Sequence, residues 1–347
     1  NMDTYKPAEG SATRSDIAIT DPDFKYPSLW KSNIAADYKF GDGWVATVEL
    51  LYSKDINAIY HDNIGLYRTE QFVNDGGAGN ARPYYNGYYS DREGNQKAAN
   101  HVVMLRNTSK GHSLYTTFQL QKNFVDGILK GLYLNGSYSF GQSRGVTDGT
   151  SSVATSAWKY RAALDGNAEE VGYTAGSFDG RLLLSASYTA NWSKYAATSF
   201  GLIYQRYRPF RYSYCYNGDA NGDSQFSNDL MYIPANFDEV KDHLLPGDFD
   251  SQEDAWKAMN AFIEQDPYLS KHRGEYAERN GAVAPFANQL DLSVSHDIKI
   301  YQKNGRSHTW RFSFNIANFL NLLNRNWGVV QTTVLGNQQY QFLTIPK

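Results

Sequence analysis

RLLLSASYTANW, residues 181–192, alternates along nearly its whole length. Leu182, Leu184, Ala186, Tyr188, Ala190 and Trp192 fall on one side, and Ser185, Ser187, Thr189 and Asn191 on the other. Successive side chains of an extended chain point to opposite faces, so a period of two gives one apolar and one polar face. A helix would scatter both sets around its circumference. The segment reads as a β-strand with a different solvent on each side.

The same pattern recurs on both flanks. In WVATVELLYS, Trp44, Ala46, Val48, Leu50 and Tyr52 share a face, and Thr47, Glu49 and Ser53 share the other with Val45 and Leu51. In LYLNGSYSF, Leu132, Leu134, Tyr138 and Phe140 oppose Tyr133, Asn135, Ser137 and Ser139. Farther on, Leu290, Leu292, Val294, Ile298 and Ile300 alternate with Asp291, Ser293, Ser295, Asp297 and Lys299, with His296 as a polar intruder on the apolar side. Trp310, Phe312, Phe314 and Ile316 then alternate with Arg311, Ser313, Asn315 and Ala317. The periodicity predicts strands near 31–40, 44–54, 112–124, 129–140, 181–192, 196–207, 289–300 and 308–319, with weaker ones near 327–335 and 339–345.

A soluble β-sandwich or propeller alternates in the same way, so the connections have to discriminate. Short turns at Gly41-Asp42-Gly43, Val125-Asp126-Gly127, around Ser193-Lys194-Tyr195, and at Lys303-Asn304-Gly305 alternate with long segments at 55–111, 141–180 and 208–288. Outer-membrane barrels carry short turns on the periplasmic side and long loops outside. Composition agrees: aromatics reach 15% of 347 residues, with 27 Tyr, in a chain that is polar on average. A strand that shows only every second residue to lipid produces that pairing of properties. No window of ~18 nearly uncharged apolar residues is present, which excludes helical spanning. The predicted fold is all-β, an antiparallel transmembrane β-barrel with long extracellular loops in the cell outer membrane.

The net charge of −3 gives no basic footprint for nucleic acid. The single cysteine, Cys215, forms no internal disulfide. The seven histidines show no metal-ligand spacing, and no nucleophile elbow, HExxH pair or phosphate-binding glycine loop occurs, so an enzyme is not expected.

Within 208–288, SQEDAWKAMNAFIEQDP predicts an amphipathic helix, capped by Ser251 with Asp254 and closed by Pro267. Trp256, Met259, Phe262 and Ile263 form its apolar side, expected to pack on the loop's own core. In NGDANGDSQFSND, the alternating oxygens of Asp219, Asn221 and Asp223, with Asp229 following, suit a possible Ca²⁺ loop. Ser224 and Leu230 stand where such a loop has Gly and a bidentate Glu, and a turn rich in Asx hydrogen bonds is the preferred reading. In RYRPFRYSYCY, Arg206, Arg208 and Arg211 interleave with Tyr212 and Tyr214; with Trp256 they are the candidate substrate-binding residues at the extracellular rim, and for the arginine–tyrosine segment the outer girdle and lipopolysaccharide zone is the preferred reading.

Four phrases carry a family resemblance: DFKYPSLWKSNIAADYKF with ATVELLYSKDINAIYHDNIGL at 23–66, GLYLNGSYSFGQSRGVTDGTSSVATSAW at 131–158, YSYCYNGDANGDSQFSNDLMYIP at 212–234 and RNGAVAPFANQLDLSVSHDI at 279–298. In this order and spacing the chain resembles TonB-dependent outer-membrane receptors of the Oar-like branch. The resemblance implies that residues 1–347 are a portion, about ten strands, of a barrel of about 22. Plug domain and closing C-terminal strand are expected to be absent from this stretch. It also implies energised transport in contact with outer-membrane lipid, coupling to the TonB complex through the plug, and a peptide, protein or glycan substrate. Two rival readings are a complete small structural or adhesive barrel and a secreted soluble glycan-binding module.

Overall fold

In a computed structural model, residues 15–74, 81–88, 99–149, 151–301, 306–332 and 339–344 are described. The strands in chain order are β1 (Ser15–Thr20), β2 (Leu29–Phe40), β3 (Trp44–Asp55), β4 (Ala58–Asn63), β5 (Leu66–Asn74), β6 (Ala81–Tyr88), β7 (Ala99–Thr108), β8 (His112–Asn123), β9 (Leu132–Gly145) and β10 (Gly172–Tyr173). They continue with β11 (Arg181–Ser193), β12 (Ala196–Tyr207), β13 (Arg211–Asn217), β14 (Tyr232–Ile233), β15 (Glu275–Tyr276), β16 (Ala282–Val283), β17 (Ala287–Tyr301), β18 (Ser307–Ile316) and β19 (Gln339–Thr344). Among the described residues three α-helices accompany them: α1 (Ala154–Lys159), α2 (Gln252–Gln265) and α3 (Phe319–Leu323). Strand accounts for 53% of the described residues, and the fold is all-β.

Eight long strands pair antiparallel in chain order, β2-β3-β8-β9-β11-β12-β17-β18, as one meander; short β10 adds to the end of β9. Each corresponds to one of the eight stronger expected strands. Connections 41–43, 124–131 and 194–195 lie at one end, and the long connections between β3 and β8, β9 and β11, and β12 and β17 lie at the other. The expected Lys303-Asn304-Gly305 turn lies outside the described residues.

Cross-strand register puts the expected faces together. Val48 faces Phe118, Phe118 faces Tyr138 and Tyr138 faces Leu182. On the other half, Ala186 faces Leu202, Leu202 faces Leu292 and Leu292 faces Ile316. The opposite face is a hydrogen-bonded polar lattice, with Asn33 Nδ2 donating to Glu49, Thr47 Oγ1 to Asp37, and Arg311 held bidentately by Asp297. The apolar face is uncovered: Ile34, Trp310 and Phe314 are 70%, 62% and 64% exposed, and Leu184 and Phe312 also stand free. His296, the polar residue on that face, bonds to Thr198 Oγ1 at 2.8 Å, and Trp192 Nε1 donates to the same hydroxyl at 2.8 Å. A small polar trio thus satisfies itself where alternation breaks.

The structure corrects the expectation of about ten wall strands. β9 starts at Leu132 rather than 129, because Gly131 takes φ +92° and a Cβ there would meet Thr189 O at 2.7 Å. β18 ends at Ile316, because Asn318 is left-handed (φ +55°) and leads into α3. Residues 327–332 hold no strand. The strand expected near 339–345 exists as β19, but it pairs parallel with β13, away from the wall. The wall has eight long strands, and β2 and β18 each hydrogen-bond to one neighbour, so the described residues do not close into a barrel.

The packed core lies outside the wall. Of the buried hydrophobic residues, all but Ala287, the first residue of β17, come from the long connections or the residues bordering them. The main cluster joins Tyr212, Tyr214, Tyr216, Met231, Ile233, Met259, Ile263 and Leu269. A second holds Leu66, Tyr85, Val103 and Trp158, and a third Ala162, Cys215 and Leu230. Helix α2 matches its expectation: Ser251 Oγ accepts from Asp254 N at 3.1 Å, and Met259 and Ile263 are buried in the loop core. No helix among the described residues is long and apolar enough to cross a membrane.

Candidate functional site

The three long connections fold into one body at one end of the wall, tied by buried polar pairs between segments far apart in sequence. Arg82, fully buried, reaches Asp229 Oδ1 with Nη1 at 3.0 Å and donates with Nη2 to Leu230 O. Its guanidinium also lies 5.3 Å from the Tyr216 ring and 5.2 Å from the Tyr276 ring. Arg82 belongs to the first connection and Asp229 to the third. The first joins the second through Tyr85 Oη, which donates to Asp165 Oδ1 at 2.7 Å, and through Asn167 Nδ2, which donates to Asn63 O at 2.9 Å. Trp158 Nε1 donates to Asn167 Oδ1 at 2.9 Å. The second joins the third where Arg279 donates to Gly145 O and Val146 O and Asn280 Nδ2 to Asp148 Oδ2 at 3.0 Å.

The acidic loop sits inside this body. Asp219 Oδ1 accepts from Gly222 N (2.7 Å) and Asp223 N (3.2 Å), and its Oδ2 from Ser224 N (2.8 Å). Asp223 Oδ1 accepts from Gln225 N at 2.8 Å, and Asp229 Oδ2 from Ala220 N at 2.8 Å. Asn221 Oδ1 accepts from Asp223 N at 3.0 Å. The four residues expected to share a cation come together as an Asx-bonded turn, and Asp229 is engaged by Arg82. No group of three or more His, Cys, Asp or Glu among the described residues is placed to hold a metal ion. Asp223 is fully buried, and burial first, with Asp229 and Asp219 nearby, pushes its carboxyl well above the ordinary range. Positive φ at Ser224 (66°) and Ser227 (73°) marks how tightly the loop is wound.

The arginine and tyrosine candidates separate. Arg211 is buried: Nε donates to Ser177 O (3.1 Å), Nη1 to Asn280 O (3.0 Å) and Nη2 to Asp179, and the guanidinium lies 4.1 Å from the Tyr173 ring. Burial lowers its pKa, and Asp179 opposes that shift. Tyr212 and Tyr214 are buried too, with Tyr214 Oη donating to Asp266 Oδ2 at 2.7 Å and stacking on Tyr268. Burial, then its bonds to Tyr212 and Asp266, raise the Tyr214 phenol. These three side chains brace the loops from within rather than standing at an open rim: Arg211 is taken up by backbone carbonyls and Asp179, Tyr214 by Asp266, and the buried Tyr212 hydroxyl lies against that of Tyr214. Trp256 is half-buried against Phe237. Arg206 is exposed and Arg208 half-buried, both against the Phe286 ring at 4.3 and 4.2 Å.

Sequence reading missed Arg82, Asp165, Arg161 and Arg279. Arg161 donates to Val146 O at 3.2 Å and lies fully buried beside Arg279; burial first, then that neighbour, bring it down to about 10. A lone arginine in a polar stretch carries no periodicity, so nothing local marks these residues as buried. Cys215 is fully buried and its thiol is pushed up by burial and by Asp229, which holds it as an inert thiol.

No protein-family model and no curated protein sequence matches the chain. Among solved structures it is similar to the FrpB iron transporter from Neisseria meningitidis (F3-3 variant), with 9% sequence identity and a TM-score of 0.29, over 83% of this chain and 34% of that one. The chain therefore spans about a third of the length of that transporter.

Proposed function

We propose that this chain is wall and outer loops of an outer-membrane β-barrel, and that the intact protein is a TonB-dependent transporter. The observation that carries the membrane reading is the uncovered apolar face of an eight-strand antiparallel meander. In water, so much contiguous apolar surface would be an aggregation site; against lipid it is the favourable state. Among the described residues β2 and β18 each lack a second neighbour, and unpaired backbone edges are not tolerated in a bilayer, so both are expected to pair with further strands. In this reading residues 1–347 contribute a portion of the barrel wall and its outer loops.

In this reading the cross-tied body of connections stands outside the cell and presents the capture surface for a peptide, protein or glycan. Of the candidate residues, Trp256 keeps part of its surface open on this body and Arg206 stands beside it at the end of β12, while Arg211, Tyr212 and Tyr214 hold the body in shape. The TonB complex acts through the plug.

Brominated phospholipids test the membrane reading through tryptophan fluorescence. Trp30, Trp192 and Trp310 stand on the apolar face, whereas Trp158 is buried in the loop body. Quenching by lipids brominated at successive acyl depths is expected for the first three in single-tryptophan variants and not for Trp158. Equal insensitivity of all four would refute it and favour a soluble β-module.

A further inference from the structure

The apolar face changes character over a few residues at the loop end of the wall. Along that face β12 runs Phe200, Leu202, Tyr204, Arg206, and β17 runs alongside it in the opposite direction with Leu292, Leu290 and Asn288 as the facing residues. Tyr204 Oη donates to Asn288 Oδ1 at 2.8 Å. Just beyond stands Phe286, 40% exposed, with the guanidiniums of Arg206 and Arg208 at 4.3 and 4.2 Å from its ring. Aliphatic, phenolic and cationic side chains thus succeed one another as they would across the boundary between acyl chains and headgroups.

The two cations have capacity to spare. Arg206 is exposed, and no hydrogen bond or ion pair reaches it among the described residues; the Phe286 ring alone holds it. Arg208 donates through Nη1 to Ala284 O at 2.8 Å and has Asp179 Oδ2 3.8 Å from Nε, too long for a hydrogen bond; Nε is buried without one. Asp179 is already engaged by Arg211. Two guanidiniums fixed on one ring, with one nearby carboxylate shared by a third arginine, leave an excess of positive charge at the end of the apolar face, with the exposed planar donors on Arg206. A phosphate monoester matches planar paired donors and this charge.

We propose that Arg206, Phe286 and Arg208 form a clamp for the phosphate of an anionic lipid in the outer leaflet. The inference rests on the membrane reading above, since it needs the apolar face below the clamp to be in lipid. The ring orients both cations, the acyl chains of the bound lipid lie along Tyr204 and Leu202, and the phosphate takes the donors that the protein leaves free. Arg206 and Arg208 are thereby assigned to lipid rather than to transported substrate.

The test uses the full-length protein in phosphatidylcholine nanodiscs, with diphosphoryl lipid A as the probe and native mass spectrometry counting the lipid retained. Wild type is expected to retain lipid A over phosphatidylcholine, and Arg206→Gln with Arg208→Gln to weaken retention by about tenfold, as expected for losing charge-assisted bonds to phosphate. Phe286→Leu is expected to weaken it less, and Arg206→Gln alone, which gives up the ring contact but no hydrogen bond or ion pair among the described residues, guards against loss of fold. Equal retention in wild type and the double variant overturns the clamp. Displacement of lipid A by inorganic phosphate, or binding of inorganic phosphate alone, overturns the assignment to lipid. Bromolipid quenching of Trp310, measured on the same samples, separates the two failures: quenching with arginine-independent retention sinks only the clamp, and no quenching sinks the membrane reading with it.

Discussion

Leu202 and Ile203 are neighbours in β12, 43% and 47% exposed, and they point to opposite faces of the wall. β12 has 12 residues, which at ~3.4 Å each and a tilt of ~45° rise about 29 Å, the thickness of a hydrocarbon core. Leu202 lies close to the middle of that span and faces Ala186 and Leu292. Leu202→Arg therefore puts a guanidinium near the bilayer midplane, at a cost of about 2–4 kcal/mol. Ile203 faces Ser185 and Asp291 on the polar side, where arginine meets water and a carboxylate; Ile203→Arg is expected to stay within about 0.5 kcal/mol of wild type. Urea unfolding of the protein refolded into phospholipid vesicles measures both, and the midpoints should separate with unchanged slope. Two residues so alike in exposure would behave alike if both faces met water. Equal effects of the two substitutions, within the error of extrapolation, would refute the assignment of lipid to one face and water to the other.

Three further predictions concern the loop body. Arg82→Ala leaves Asp229 buried without its partner and is expected to cost about 3–5 kcal/mol of loop stability, with partial recovery in Arg82→Ala with Asp229→Ala, read by hydrogen exchange of residues 212–234; a loss below about 1 kcal/mol would mean the pair is solvated. Asp223 has a carboxyl raised above its unfolded value by burial, so its contribution is fully present below the unfolded value and is lost as pH rises through the folded one; proteolytic susceptibility of the loop should therefore increase with pH in that window, and Asp223→Asn should flatten the trend. Added Ca²⁺ tests the cation expectation in the same samples: a higher Tm that Asp223→Asn abolishes would establish a bound cation at Asp219, Asn221, Asp223 and Asp229, and an unchanged Tm would leave the Asx turn as the whole account.

The wall was legible and the loop body largely was not, for one physical reason. A strand between two solvents writes its environment into every second residue, so Leu182 to Trp192 identify their face without reference to any partner. Small misses came from backbone conformation rather than pattern: left-handed Gly131 and Asn318 cut β9 and β18 where alternation would have carried on. In the loops, helix α2 was readable because its cap and apolar side are local. Arg211 was not, because arginine beside tyrosine spells the same letters at an open rim and around a buried guanidinium. Asp229 was singled out for a cation, and the structure gives it Arg82, 147 residues away. Such pairs exist only once distant segments meet, and nothing near Arg82 announces its partner.

That separation bears on the order of assembly. Arg82 with Asp229 spans 147 residues, Arg279 with Gly145 spans 134, and Asn217 with Thr344 spans 127. Each tie can close only after the hairpins between its ends have been threaded across, because closing such large rings costs chain entropy before any contact repays it. Maturation would thus run in two stages: β-hairpins join edge to edge through local turns, and the outer cap locks last, with β19 zipping beside β13 as its final tie.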